Sequence, residues 1–272
     1  MVAITHQEVR KTFPSATSTG ARRFIGKTAI VVGASANVGK ALALLLAQEG
    51  ADVVVHYNSA SKQTQAEEVA AAVRGHGQEA LIFQADLTKP AQSAALFDAA
   101  IATFGKVDIL INTAGKIIRK PLAEFEEAEF DELFNVNAKA AFFLLKEASK
   151  YIADEGRVLS FVTTMVAAFA PTYAGYAGSK APLEHFSKSL AKELGGRGVT
   201  VNCIAPGPLD TSFFYPAESH ENIGWLKSMS IDGGLGNIAD ITGLALFLVS
   251  PEARWMTGTT SYINGGIVSP IN

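Results

Sequence analysis

Short apolar runs alternate with helix-periodic segments along almost the whole chain. The runs fall at 28–32, 52–57, 80–84, 107–112, 157–162, 199–204 and 259–263. The helical patterns fall at 38–49, 62–75, 90–104, 127–153, 175–196 and 238–249. This alternation predicts strands joined by right-handed helical crossovers. The runs are nearly continuous in apolar residues, as strands covered on both faces require, and 48% of the chain is hydrophobic. The expected fold class is α/β, a doubly wound parallel sheet of about seven strands with helices on both faces.

No linker, repeat or low-complexity stretch divides the 272 residues, so residues 24–272 are expected to form one domain. Residues 1–23, ending Thr19-Gly-Ala-Arg-Arg23, lack the apolar core of a secretory leader and predict a flexible extension. The long interruption at 208–236 is expected to act as a lid. A net charge of −3 gives no footprint for nucleic acid or an anionic membrane. Residues 158–179 carry no charge, yet Pro171 and several Ser, Thr and Gly divide them into strand, loop and helix start rather than a membrane span. Cys203 is the single cysteine; within Val199-Thr-Val-Asn-Cys-Ile204 it is expected in the core, and it suits a reducing, cytoplasmic setting. His56, His76, His185 and His220 show no metal-ligand spacing, and no metal is expected.

Two stretches carry chemistry. Gly33-Ala-Ser-Ala-Asn-Val-Gly39 lies between the first strand and the first helix, where backbone N–H groups can hold a pyrophosphate. In Tyr176-Ala-Gly-Ser-Lys180, a spacing of four puts phenol and ammonium on one helix face. A free tyrosine has a pKa of about 10, and a nearby cation favours phenolate. Such a group can pass a proton to or from a carbonyl oxygen.

These residues resemble the short-chain dehydrogenase/reductase family, in its single-domain branch. That family carries Thr-Gly-x-x-x-Gly-x-Gly at the first turn, Asn-Asn-Ala-Gly after the fourth strand, and Ser followed by Tyr-x-x-x-Lys after the fifth. This chain offers Gly33 to Gly39, Asn112-Thr-Ala-Gly115, Thr163, Tyr176 and Lys180. Ala85-Asp86-Leu87, Asn137 and Pro206-Gly-Pro-Leu-Asp-Thr211 fall in order among them, and the match runs from about Phe24 to Gly266. The resemblance implies a Rossmann fold and an oxidoreductase acting on C=O or CH–OH groups. It casts Tyr176 as proton donor, or as base in reverse. Lys180 would lower the tyrosine pKa and bind the nicotinamide ribose, and Asn137 would support a water relay to Lys180. Thr163 would hold the substrate oxygen, with Thr164 taking that role if the register slips by one.

Cofactor contacts are implied at Gly33, Ser35, Ala36, Asn37, Val38 and Gly39, and at Asp86 and Leu87, with Asp86 on the adenine amino group. Others are implied at Asn112, Ala114 and Gly115, at Pro206, Gly207 and Leu209, and at Thr211 on the nicotinamide carboxamide. Asn37 replaces the turn's second glycine, a position where Asn tolerates left-handed backbone better than most residues. After the second strand, Tyr57, Asn58, Ser59, Ser61 and Lys62 meet no acid between Val53 and Ala66, whereas an NAD enzyme would carry Asp or Glu there. Asp52 lies at the wrong end of that strand. The expected cofactor is therefore NADP(H), although Ala36 stands where many NADP-using relatives carry Arg or Lys.

The resulting expectation is an NADPH-dependent carbonyl reductase or alcohol dehydrogenase for a small hydrophobic substrate, shaped by Phe213, Phe214, Tyr215 and Trp225. Two alternatives stay open. A 3-oxoacyl-thioester reductase would want basic residues for an acidic carrier, and Lys116, Arg119 and Lys120 are candidates. A non-catalytic NADP-binding regulator would explain Thr163 and Asn37. Ala138, Ala140, Ala141, Phe142, Phe143, Phe186 and Leu190 make two helical segments apolar on more than one face, which with the family pattern implies a homotetramer, or else a dimer.

Overall fold

The computed structural model describes residues 22–268. All but the last two residues of the expected 1–23 extension lie outside them.

The strands are β1 (Thr28–Val32), β2 (Asp52–Tyr57), β3 (Ala80–Gln84), β4 (Val107–Asn112), β5 (Ile152–Phe161), β6 (Thr200–Pro206) and β7 (Thr260–Ile263). They form one parallel sheet in the order β3-β2-β1-β4-β5-β6-β7. The helices are α1 (Asn37–Gln48), α2 (Gln63–Gly75), α3 (Pro90–Phe104), α4 (Glu127–Phe134), α5 (Ala140–Tyr151), α6 (Ala174–Lys180), α7 (Pro182–Leu194), α8 (His220–Met229) and α9 (Ile238–Leu248).

Strand alternation sorts side chains into two cores. From β1, Ala29 and Val31 join the core under α1, α2 and α9. Ile30 and Val32 join the opposite core under α3, α5 and α7. The chain winds outward from β1 to β3 and then returns to β4 on the other side of β1. That reversal opens a crevice at the carboxyl ends of β1 and β4, where ligands of such sheets bind. The Val32–Asn112 pairing sets the two turns side by side, and Thr113 N–H donates to Val32 O at 3.2 Å.

Four local expectations are revised. The 127–153 pattern is two helices, because a π-turn at Asn135–Lys139 separates α4 from α5 and takes Asn137 into its turn. The 175–196 pattern is likewise split, with Pro182 at the first turn of α7, where its missing N–H costs nothing. Strand β5 begins at Ile152 rather than 157, with a register shift opposite Val107 and Ile109. The 208–236 interruption contains α8, whose Ser219 side chain accepts from Asn222 N–H at 3.2 Å. Gly224 and the run Trp225-Leu226 hide its helical period. Among the described residues no helix is long and apolar enough to cross a membrane.

Candidate active site

One cavity of about 360 Å³ collects residues that directly follow the carboxyl ends of β1 to β6. At its β1 end, Gly33 turns the chain and α1 begins at Asn37. No side chain caps that start, since Ala36 at the cap position has no oxygen to offer, so the first amides of α1 stay open to a ligand. Gly39 is obligatory here, because a Cβ would stand 2.3 Å from Gly33 O. Asn37 adopts φ +49°, the left-handed conformation expected of it, and its Oδ1 lies 3.2 Å from Ser212 Oγ. Ser35 and Val38 also line this end.

Further along, Tyr57 and Asn58 line the cavity after β2, as do Asp86 and Leu87 after β3. The Asp86 carboxylate also serves its own loop, accepting from Thr88 N–H at 3.1 Å and Thr88 Oγ1 at 2.6 Å, which holds its pKa below the usual range. Ala114 and Gly115 line the cavity after β4, and Pro206, Gly207, Leu209 and Thr211 after β6. Two expected cofactor contacts stand outside it. Asn112 is buried behind the turn, where its Oδ1 accepts from Ala114 N–H at 3.1 Å, so it shapes the wall without facing the cavity. Ser59 turns to a shallower neighbouring depression and pairs with Ser61 Oγ at 2.9 Å.

The residues expected to handle the proton meet at the inner end. Tyr176 and Lys180 sit on α6, which Gly175 allows to approach closely: a Cβ there would lie 2.5 Å from the Phe125 ring. Both are buried and line the cavity. Lys180 Nζ donates to Ala114 O and Phe161 O, each at 2.9 Å, which ties α6 to the ends of β4 and β5. A Cβ on Gly115 would come within 3.0 Å of that ammonium. Burial pulls Lys180 down to about 8, with Cys203 opposing. Burial pushes the Tyr176 phenol up to about 12, and the hydrogen bond with Thr163 only partly offsets this. The phenol is thus raised rather than lowered, because loss of solvent around it is the largest influence.

Thr163 caps the turn after β5, with Oγ1 accepting from Met165 N–H at 3.3 Å, and lines the cavity beside Tyr176. Thr164 faces away: it donates to Ala205 O and accepts from Asn264 Nδ2, both at 3.1 Å. Asn137 does not line the cavity. Its Oδ1 accepts from Lys116 N–H at 2.8 Å, and its Nδ2 donates to Lys116 O at 2.8 Å and Ser179 Oγ at 2.9 Å. Those bonds hold the loop after β4 against α6.

Several lining residues were not anticipated. His56 is buried between strands: Nδ1 accepts from Gly33 N–H at 3.3 Å and Nε2–H donates to Ala85 O at 3.0 Å. These bonds select the neutral tautomer, and burial lowers its pKa to about 4. Ile117, Met165, Tyr173, Glu218 and Leu226 join Phe213 and Phe214 around the inner end. Tyr215 and Trp225 do not line it and remain exposed, which corrects the expected aromatic set. In the sequence the only hint of Tyr173 and Glu218 was their nearness to Tyr176 and to the long interruption.

Comparisons with known proteins agree with this geometry. A family model described as enoyl-(acyl carrier protein) reductase matches residues 33–268. A Picea abies protein called short-chain type dehydrogenase/reductase is 38% identical over 254 residues, covering 89% of this chain and 93% of that one. An Arabidopsis thaliana protein called NADPH-dependent aldehyde reductase-like, chloroplastic, is 36% identical over 257 residues, covering 89% and 94%. A solved Burkholderia cenocepacia structure, described as a dehydrogenase with bound NADP, superposes with a TM-score of 0.89 at 46% identity, covering 92% and 97%.

Proposed function

The chain belongs to the short-chain dehydrogenase/reductase family, and we propose that it works as an NADPH-dependent carbonyl reductase on small hydrophobic ketones or aldehydes. One observation carries this reading: Tyr176, Thr163 and Lys180 are buried together at the inner end of a cavity whose other end is an uncapped helix start. The open amides of α1 suit a pyrophosphate. Tyr57 and Asn58 bring no carboxylate to repel a 2′-phosphate, which supports NADP(H) over NAD(H). A relative named NADPH-dependent and a neighbour solved with NADP support the same choice.

When bound, the nicotinamide supplies the hydride. The Thr163 hydroxyl and the Tyr176 phenol then hold the carbonyl oxygen, and Tyr176 gives it a proton. A phenol pushed up to about 12 is protonated at neutral pH, which suits the reductive direction. Lys180, fixed by two carbonyls, attracts the negative charge left on the phenol. Asn137 keeps the loop of Gly115 pressed against that lysine.

The carrier-linked alternative draws less support from the basic residues near the mouth. Lys116 pairs with Glu132, Arg119 with Glu218 and Lys120 with Glu129, so the three cations are engaged within the chain. We place the enzyme in the cytoplasm on the strength of its lone buried thiol. A second copy is the partner we propose for the α5–α7 face, where Phe142 stays 47% exposed beside Phe186. Light scattering should give a tetramer, or at least a dimer, and a mass of 28.7 kDa would refute it.

The test of function is a panel of ketones and aldehydes offered to the purified protein with NADPH and with NADH. Turnover should appear with apolar carbonyl compounds and favour NADPH. Cofactor binding without oxidation across the panel would instead leave a non-catalytic regulator.

A further inference from the structure

Glu218 is an anomaly in an otherwise apolar and aromatic wall. Its side chain is fully buried, yet it lines the cavity. A carboxylate in such a place must be paired and hydrogen-bonded. Arg119 Nη1 donates to its Oε2 at 2.8 Å, Asn222 Nδ2 donates to the same oxygen, and the Tyr173 hydroxyl donates to Oε1. Arg119 is in turn held by a second loop. Its Nε donates to Thr172 Oγ1 at 2.7 Å, and its guanidinium lies 5.1 Å from the Tyr173 ring centroid. Thr172 itself sits at φ +71°, where a β-branched residue is seldom found. Its carbonyl accepts from Lys120 N–H at 3.1 Å, so the Arg119 loop holds the strained residue from both sides.

Each member of this cluster is a near neighbour in sequence of a residue that lines the inner cavity. Ile117 precedes Arg119 by two, Tyr173 follows Thr172, and Phe214 and Leu226 flank Glu218 and Asn222 on the 208–236 segment. Tyr173 also stands three residues before Tyr176. The ion pair therefore joins three separate pieces of chain that bear the substrate wall, and it touches none of the residues following β1, β2 or β3. We propose that Arg119 and Glu218 are positioning residues for the substrate: their buried ion pair latches the 208–236 segment onto the loops beside Tyr176 and so sets the shape of the ketone site. The proposal rests on the reading that this end of the cavity takes a carbonyl compound.

The test uses the full-length protein with Glu218→Gln, Arg119→Met, the double variant, and Arg119→Lys as the conservative change. For a ketone that the unmodified enzyme reduces, each of the first two should raise KM about tenfold or more, as truncating one partner of a buried pair does. kcat and the NADPH dissociation constant should stay within about threefold. The double variant should be no worse than either single one, since both remove one interaction. Arg119→Lys should recover part of the loss. Hydrogen exchange supplies a second readout: amides of 213–229 should exchange faster in both single variants while those of β4 and β5 do not. Unchanged KM, additive losses, or NADPH affinity falling in step with ketone affinity would overturn the proposal. If no carbonyl compound is reduced by the unmodified enzyme, the functional reading fails by itself. Exchange over 213–229 then judges the latch alone, and unchanged rates would overturn it.

Discussion

The two halves of the cleft are held in different ways. The cofactor half is made of short turns that leave β1, β2, β3 and β4 and are fixed within a few residues of each strand end. Gly33 and Gly39 are fixed by their own turn and by Thr113 of the adjoining one, the Asn112 cap reaches only Ala114, and His56 ties one turn to the next through two backbone groups. The substrate half is assembled from loops that are distant in sequence. Its walls come from residues 117, 163–173 and 213–226, joined by a buried ion pair between Arg119 and Glu218. The 208–236 segment reaches the cofactor half through the exposed Asn37–Ser212 contact, whereas on the substrate side it is anchored by buried charge. Tyr176 and Lys180 stand on the border.

If the border residues do the chemistry and the turns do the binding, the largest effect should come from Tyr176→Phe. It removes the proton donor and nothing from the cofactor turns, so kcat is expected to fall about a thousandfold or more. NADPH affinity, read by fluorescence titration, should stay near that of the unmodified protein. More than a few per cent of residual activity would mean that the proton comes from elsewhere.

Within the cofactor half alone, Tyr57→Asp should change which cofactor is chosen while leaving the ketone site intact. A carboxylate there accepts from ribose hydroxyls and repels a 2′-phosphate. The ratio of kcat/KM for NADPH over NADH should drop about tenfold to a hundredfold, with the order of preference among ketones unchanged. An unaltered ratio would place the phosphate somewhere other than beside Tyr57.

A smaller effect sharpens the border itself. Lys180 is charged below its pKa of about 8 and neutral above it, so ketone reduction should weaken as pH rises through that value. Tyr176, pushed up to about 12, remains a proton donor throughout that range. Lys180→Arg keeps the charge and should move the decline upward by about one pH unit or more in steady-state profiles. A profile of the unmodified enzyme that stays flat to about pH 10 would separate the ammonium from the chemistry.

What the sequence by itself determined is the part that depends on residues close together in the chain. Apolar period set seven parallel strands and their crossovers, and glycine at 33 and 39 marked the turn, because both signals act through local backbone sterics and side-chain alternation. The helix spacing of Tyr176 and Lys180 is local too. Only the tertiary structure decided what depends on burial and distant contact. Thr163 and Thr164 are adjacent and chemically alike, and the packing of β6 and Asn264 chooses which one faces the cavity. The direction of the Tyr176 shift follows from how much water the surrounding elements exclude, which no spacing encodes. Asn137 joins the Lys116 backbone to Ser179 of α6, a pairing across the fold that no spacing announces. Arg119 and Glu218 stand 99 positions apart, and each alone is an ordinary surface-type residue. Their meaning comes from being desolvated together, and desolvation is a property of the folded whole.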